Sequence, residues 1–142
     1  MQGSIEFFYE EVEYRFKNLS KSAKWIKSII QSEGFQLKHL NYILCSDTYL
    51  HDINKEYLDH DTYTDILTFN QSDDPTLIES DIYISIDRIL DNSENNNEPF
   101  EKELHRVMIH GVLHLIGFND KTPEQKMLMQ KKEDTCLSLH DW

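Results

Sequence analysis

The chain lacks the features that mark secreted and membrane proteins. It has only two cysteines, Cys45 and Cys136, which lie far apart without a C-x-x-C pair and are predicted to be incidental thiols of a reducing compartment. No apolar run approaches the roughly 20 residues of a membrane span, and the N-terminus has no signal-peptide core. These absences predict a cytoplasmic protein with no membrane partner.

Basic residues are also scarce. Lys and Arg number 14 against 26 Asp and Glu, a net charge of −12. Because nucleic-acid affinity comes largely from basic side chains that displace counterions, the surface as a whole should repel RNA. Lysine and arginine are concentrated in residues 14–38 and 121–132, where they outnumber the single acids Glu33 and Glu124. These clusters predict weak intrinsic RNA binding helped by a partner, or merely solvated helix faces.

One stretch combines metal-binding residue types at helical spacing, His110-Gly-Val-Leu-His114-Leu-Ile-Gly117-Phe-Asn-Asp120. Two histidines four apart project from one helix face, so both imidazoles can reach one metal ion about 2 Å from each ring nitrogen. Gly117 is predicted to end the helix in a left-handed turn, which brings Asp120 back as a third ligand. Three protein ligands with one open position are typical of catalytic zinc. The stretch predicts a metal-dependent hydrolase, against the simpler alternative of two satisfied polar side chains.

The residue after the first histidine argues against peptidase chemistry. The spacing H-x3-H-x2-G-x2-D matches the metzincin layout, whose members carry Glu directly after the first His as general base. Here that position is Gly111, which has no side chain to accept a proton. Proteolysis is therefore disfavoured and remains an alternative.

The same stretch resembles the signature H-G-x-L-H-L-x-G-[YF]-x-H of the YbeY-type endoribonucleases, bacterial ribosomal RNA maturation factors. The matching positions are His110, Gly111, Leu113, His114, Leu115, Gly117 and Phe118. Further similar segments are Asn54-Lys-Glu-Tyr57, Thr64-Asp65-Ile-Leu-Thr-Phe69, Asp81-Ile82 with Ser85, and Met127 or Met129 with Glu133. The resemblance covers about residues 50–135, and the first 45 residues carry no signature. It implies a zinc-dependent, single-strand-specific endoribonuclease in ribosomal RNA maturation, with single-stranded RNA and the small ribosomal subunit, not DNA, as partners.

Two positions depart from the family pattern. The third ligand position holds Asp120 instead of His, an acceptable zinc ligand whose charge weakens the Lewis acidity of the centre. Leu58 stands where the family typically has an Arg that suits a phosphate. Arg106, one turn before His110, is predicted to compensate; the alternative is an exposed Arg paired with Glu103.

Periodicity predicts strands over 4–9, 39–45, 65–70 and 81–86, and helices over 21–33, 48–58, from Pro99 through the histidines, and after Thr122. Ser20 and Asp47 are predicted N-caps, and Thr122 with Gln125 a capping box. The polar residues 91–98 are predicted to form a loop. The predicted inward side chains of the last two helices are Leu104, Val107, Met108, Val112, Leu115, Ile116, Met127, Leu128, Met129 and Leu137.

These patterns predict one α+β domain over residues 1–142, with one small mixed sheet of about four strands packed with helices. The metal site lies on a central helix and the following turn. The predicted catalytic residues are His110, His114 and Arg106, and the predicted zinc ligands are His110, His114 and Asp120. Two alternatives remain open: a metzincin-like zinc hydrolase acting on peptides, and a non-catalytic ribosome-associated protein with structural zinc.

Overall fold

The computed structural model describes residues 3–58 and 64–140. One four-stranded mixed sheet organises the described residues, in the order β1-β2-β4-β3. Strands β1, β2 and β4 run parallel, and β3 pairs with β4 in the antiparallel sense. The elements are β1 (Ser4–Glu10), α1 (Leu19–Ser32), β2 (Gln36–Cys45), α2 (Asp47–Leu58), β3 (Ile66–Asn70), β4 (Leu77–Ser85), α3 (Ile86–Asn95), α4 (Phe100–Ile116) and α5 (Pro123–Ser138).

Helices cover both faces of the sheet. The larger core joins α1 and α4 to one face, with Leu40, Tyr42 and Ile82 pointing inward from the strands. The opposite face carries α2 over a smaller cluster that includes Leu50 and Leu67. Because successive strand residues face opposite ways, β2 serves both cores at once. The predicted α+β fold with a small mixed sheet is confirmed.

Helix α4 lies at the centre of the larger core and carries the two histidines. Leu104, Val107, Met108 and Val112 are buried as predicted, whereas Leu115 and Ile116 are only partly buried. Ile109 and Leu113 are also buried, so the apolar surface of α4 is wider than a single stripe. The helix ends at Gly117, whose φ of 118° is the predicted left-handed conformation. Pro99 occupies the N-cap position, so the helix begins one residue later than expected.

The predicted loop over 91–98 is wrong, because α3 continues to Asn95. Ser85 caps α3 by accepting a hydrogen bond from the backbone of Arg88, and Ile89 is fully buried. Ile86, Ile89 and Leu90 are spaced three and four residues apart, so α3 is an amphipathic helix whose apolar face begins before the polar residues 91–95. As a result, β4 ends at Ser85, and Ile86 begins a helix instead of ending a strand.

Several predicted element ends and faces also differ. Strands β2 and β4 begin earlier than predicted, since Gln36 pairs with Leu77. Helix α1 follows Asn18, not Ser20, and the side chain of Ser46, not Asp47, accepts a hydrogen bond from the first turn of α2. On α5, Met129 and Leu137 are buried as predicted, but Met127 and Leu128 are about three-fifths exposed, so they do not fill the core.

No helix within the described ranges is long and apolar enough to span a membrane.

Candidate metal centre

Two imidazole rings meet on one face of α4. The ring centroids of His110 and His114 lie 4.6 Å apart, and the two Nε2 atoms are separated by 3.0 Å. The i, i+4 spacing places the rings one above the other, as the sequence predicts. Both side chains remain partly exposed, at 23% and 33%, so they can be reached from solvent.

The turn after α4 brings the third residue to the rings. Asp120 Oδ2 lies 3.3 Å from His110 Nε2 and 3.4 Å from His114 Nε2. The start of α5 fixes this turn, because the Gln125 side chain accepts hydrogen bonds from the backbone N–H groups of Lys121 and Thr122. The Thr122 side chain accepts one from the Gln125 backbone, which completes the predicted capping box.

The spacing of these three atoms fits a small cation. In a tetrahedral site with metal–ligand distances of about 2.0–2.1 Å, the ligand atoms lie about 3.3–3.4 Å from one another. The observed separations of 3.0, 3.3 and 3.4 Å are close to those edges. His110, His114 and Asp120 therefore form a group that can hold a metal ion. Three protein ligands leave a tetrahedral ion one open position, and a cavity of about 510 Å³ lies beside His110 and Asp120.

A buried carboxylate on α5 holds the other nitrogen of the first ring. His110 Nδ1 donates a hydrogen bond of 2.5 Å to Glu133 Oε2. Burial disfavours the charged imidazole, but the hydrogen bond and the negative charge of Glu133 outweigh it, so the pKa of His110 is raised. The second oxygen, Glu133 Oε1, accepts a hydrogen bond of 3.0 Å from Arg106.

Known proteins similar to this chain show the family to which it belongs. The family model described as endoribonuclease YbeY matches residues 5–140. The chain is 46% identical to the endoribonuclease YbeY of Cytophaga hutchinsonii, covering 97% of this chain and 96% of that protein. It is also 46% identical to that of Amoebophilus asiaticus, covering 96% and 92%. The chain belongs to the YbeY endoribonuclease family.

A solved structure has a similar fold. The solution structure of TM1509 from Thermotoga maritima superimposes with a TM-score of 0.66 at 29% identity, covering 92% of this chain and 88% of that one. The family match begins near the start of β1, so it includes the segment that carries no recognisable signature. The resemblance found in the sequence is confirmed.

Close contact with the sheet explains why position 111 carries no side chain where a peptidase has its glutamate base. A Cβ atom added at Gly111 would lie 3.0 Å from Ile66 Cδ1 and 3.1 Å from Ile82 Cδ1. Position 111 therefore faces the sheet, where the chain of a glutamate would meet apolar side chains. The close approach of α4 to β3 and β4 therefore leaves no room for a longer side chain at position 111 unless Ile66 and Ile82 move.

The remaining predicted site residues have mixed outcomes. Arg106 lines the same cavity as His110, but its guanidinium pairs with Glu133 and Asp134 instead of Glu103. The side chain of Leu58 lies outside the described residues. A role for Arg106 at a phosphate stays a prediction.

Glu133 is the residue in contact with the candidate centre to which the sequence assigned no role. In the sequence analysis, Glu133 is only part of a family pattern in the last helix. An acid at a helical position whose neighbours on the same face point into the core is itself a sign of a paired or functional carboxylate. Glu103 is a second buried acid on the cavity wall, and its pKa is raised, chiefly because burial disfavours the charged form.

The other histidines among the described residues lie away from the centre. His105 is buried, and its two nitrogens hydrogen bond the carbonyl oxygen of Glu101 at 2.6 Å and the hydroxyl of Ser22 at 2.7 Å. These contacts indicate a structural role for His105. His140 is also buried, close to Ser22 at 3.3 Å, and His60 lies outside the described residues.

Proposed function

We propose that this protein is a zinc-dependent, single-strand-specific endoribonuclease that acts in ribosomal RNA maturation in the cytoplasm. The observation that supports this most directly is the convergence of His110, His114 and Asp120 at 3.0–3.4 Å beside an open cavity. Membership of a family named for endoribonuclease activity supplies the reaction class.

Zinc suits this donor set better than magnesium or calcium. Two imidazoles and one carboxylate are ligands that zinc commonly takes in three-residue catalytic sites, whereas magnesium and calcium prefer oxygen alone. A bound zinc ion supplies Lewis acidity that stabilises the charge developing on a phosphodiester. Asp120 contributes a negative charge where the family pattern has a neutral histidine, which lowers the net charge of the centre.

The protein side chains provide position and charge around that centre. His110 and His114 direct their Nε2 atoms at one point, and Asp120 completes the triangle. Lys126 and Arg106 line the cavity and are cations suited to a phosphate backbone, although Arg106 is already paired with carboxylates. No carboxylate occupies the position of the peptidase base, so the nucleophile comes from water or from the 2′-hydroxyl of the RNA.

The acidic surface supports a requirement for a partner in RNA binding. With a net charge of −12, the protein gains little from counterion release over most of its surface. Basic side chains near the cavity follow the metal turn at Lys121 and Lys126. A ribosomal subunit that presents its RNA at short range would compensate for this weak attraction.

The test combines metal content with cleavage. Purified protein should hold one zinc ion per chain and cut a labelled single-stranded RNA, while the same sequence in a duplex is spared. His110→Ala should lose both properties, whereas His39→Gln, a histidine substitution away from the centre, should keep them. Full cleavage by His110→Ala with stoichiometric zinc would refute the assignment.

Metal removal separates catalytic from structural zinc. If the zinc is catalytic, chelation should abolish cleavage while the described fold survives, with a lower melting temperature that recovers on adding zinc. Unfolding at ordinary temperature on chelation, without any RNA cleavage by the zinc-loaded protein, would instead support the non-catalytic ribosome-associated alternative. Cleavage of unstructured peptides would support the peptidase alternative.

A further inference from the structure

A chain of charged hydrogen bonds leads from the surface of α5 to the metal centre. Asp134 Oδ1 accepts a hydrogen bond of 2.6 Å from Arg106, and Glu133 Oε1 accepts another of 3.0 Å from the same guanidinium. Glu133 Oε2 then accepts the 2.5 Å bond from His110 Nδ1. Four side chains from two helices are thus linked in series, and the last is a proposed metal ligand.

Burial makes Glu133 the critical member of this chain. Its side chain is only 9% exposed, whereas that of Asp134 is 57% exposed. A buried carboxylate is costly unless both oxygens are satisfied, and charge-assisted bonds to a guanidinium and an imidazole satisfy them. Arg106 is therefore needed to keep an ionised Glu133 in this position.

We propose that Glu133 is a positioning residue that sets the tautomer and orientation of His110, and that Arg106 holds Glu133 in place for this purpose. An ionised carboxylate can only accept hydrogen bonds, so the proton of the neutral ring must lie on Nδ1. The lone pair then lies on Nε2, the atom that faces His114 and Asp120. This inference rests on the proposed metal centre and adds a cause for its geometry.

The role proposed here for Arg106, holding Glu133, differs from the phosphate contact that was predicted from the sequence. If Arg106 holds Glu133 in place, removal of Arg106 should weaken zinc binding in the absence of RNA. A residue that only contacted the phosphate would instead raise KM for RNA and leave zinc affinity unchanged. These two roles can be measured separately.

The first experiment replaces the carboxylate by an amide of the same size. In Glu133→Gln, the single side-chain oxygen can accept from Arg106 or from His110, but not in the two-oxygen arrangement of the carboxylate. When the oxygen faces Arg106, the amide NH₂ faces Nδ1 and favours the proton on Nε2, the wrong tautomer for the centre. Zinc affinity, measured by competition with a chromophoric chelator, should fall by about 10- to 100-fold.

A double variant tests the reason for that loss. In Arg106→Met with Glu133→Gln, the amide oxygen is free to accept from His110 Nδ1, so part of the zinc affinity should return relative to Glu133→Gln alone. The methionine keeps much of the apolar stem of Arg106. Additive losses in the double-mutant cycle would contradict the proposed competition for one oxygen.

Nitrogen NMR of the histidine rings gives a readout independent of metal and RNA. In the metal-free wild type, the His110 signals should report a proton on Nδ1, and Glu133→Gln should increase the Nε2-protonated form. Glu124→Gln, an exposed acid on the same helix, is the matched control and should change neither the tautomer nor the zinc affinity. Thermal unfolding of each metal-free variant identifies any variant that fails to fold.

The outcomes distinguish this inference from the proposed function. If the wild type binds zinc through His110 but Glu133→Gln binds it equally well with the same tautomer, the positioning role is refuted and the metal centre stands. If the wild type binds no zinc at these residues, the proposed function itself fails. A zinc affinity unchanged in Arg106→Met would limit the positioning role to Glu133.

Discussion

Gly111 allows a quantitative test of how α4 is held against the sheet. In Gly111→Ala, the new methyl group would lie 3.0 Å from Ile66 Cδ1 and 3.1 Å from Ile82 Cδ1, so both side chains must retreat by a few tenths of an ångström. Adding a methyl group to a filled core costs about 1–3 kcal/mol, and replacing a helical glycine by alanine returns about 1 kcal/mol. We expect a net loss of about 1 kcal/mol in the free energy of unfolding.

The assay is urea unfolding of the metal-free protein, combined with a second substitution that makes room. Ile66→Val removes one of the two contacting Cδ1 atoms and alone should cost about 0.5–1.5 kcal/mol. Together with Gly111→Ala it should cost less than the sum of the two single changes. Ile78→Val changes a buried isoleucine of β4 that is not among the atoms nearest to position 111, so it is the control and should be additive with Gly111→Ala.

Two results would refute this reasoning. One is a Gly111→Ala protein more stable than the wild type, and the other is exact additivity with Ile66→Val. Gly111→Glu extends the test to the peptidase alternative, because its Cβ would meet the same Ile66 and Ile82 side chains and a longer, charged group must be accommodated beyond it. It should destabilise the fold more than alanine does and should not produce peptidase activity.

Three other perturbations test the centre and its supports. Zinc at a hundred times its Kd should stabilise the wild type by about 2.7 kcal/mol. Asp120→Ala should lose most of this gain in thermal unfolding, whereas Asp91→Ala, at an exposed position, is the control and should keep it. Burial lowers the pKa of His105 below its ordinary value, so below about pH 6.5 the unfolded chain takes up a proton that the folded protein does not. The contribution of His105 to the free energy of unfolding should therefore decrease as the pH falls through that range, by up to about 1.4 kcal/mol per pH unit, while the raised pKa of His110 contributes with the opposite sign. His105→Gln should remove the first contribution in urea titrations, and a pH dependence identical to that of the wild type would contradict the assignment. Thr122→Ala should cost about 1 kcal/mol and weaken zinc binding, because it loosens the turn that presents Asp120; intact stability in urea would show that the cap contributes little.

The convergence of the three candidate metal ligands was predictable because their geometry is local. His110, His114 and the turn at Gly117 are governed by helix periodicity and by the conformational freedom of one glycine. Asp120 follows within the same short segment, and the capping box at Thr122 fixes where the next helix begins. No contact distant in sequence is needed to bring these groups together.

The features that the sequence did not reveal depend on distant contacts. Glu133 reaches His110 only because α5 packs beside α4, and the ion pairs of Arg106 follow from the same packing. Helix α3 is amphipathic through Ile86, Ile89 and Leu90, but the prediction assigned Ile86 to the preceding strand, so the polar residues that complete the helix were predicted to be a loop. Exposure of Met127 likewise follows from the orientation of α5, which its weakly patterned sequence does not fix.

The two ends of α5 act on the metal centre in different ways. Its first turn secures the segment that carries Asp120, while Glu133, near its other end, holds the first imidazole. Rotation or fraying of this one helix would displace two of the three candidate ligands together, His110 and Asp120. Movement of β1 or α1 would displace none of the three directly. Substitutions should therefore be tolerated more readily in the N-terminal third of the chain than in α4, α5 and the turn between them.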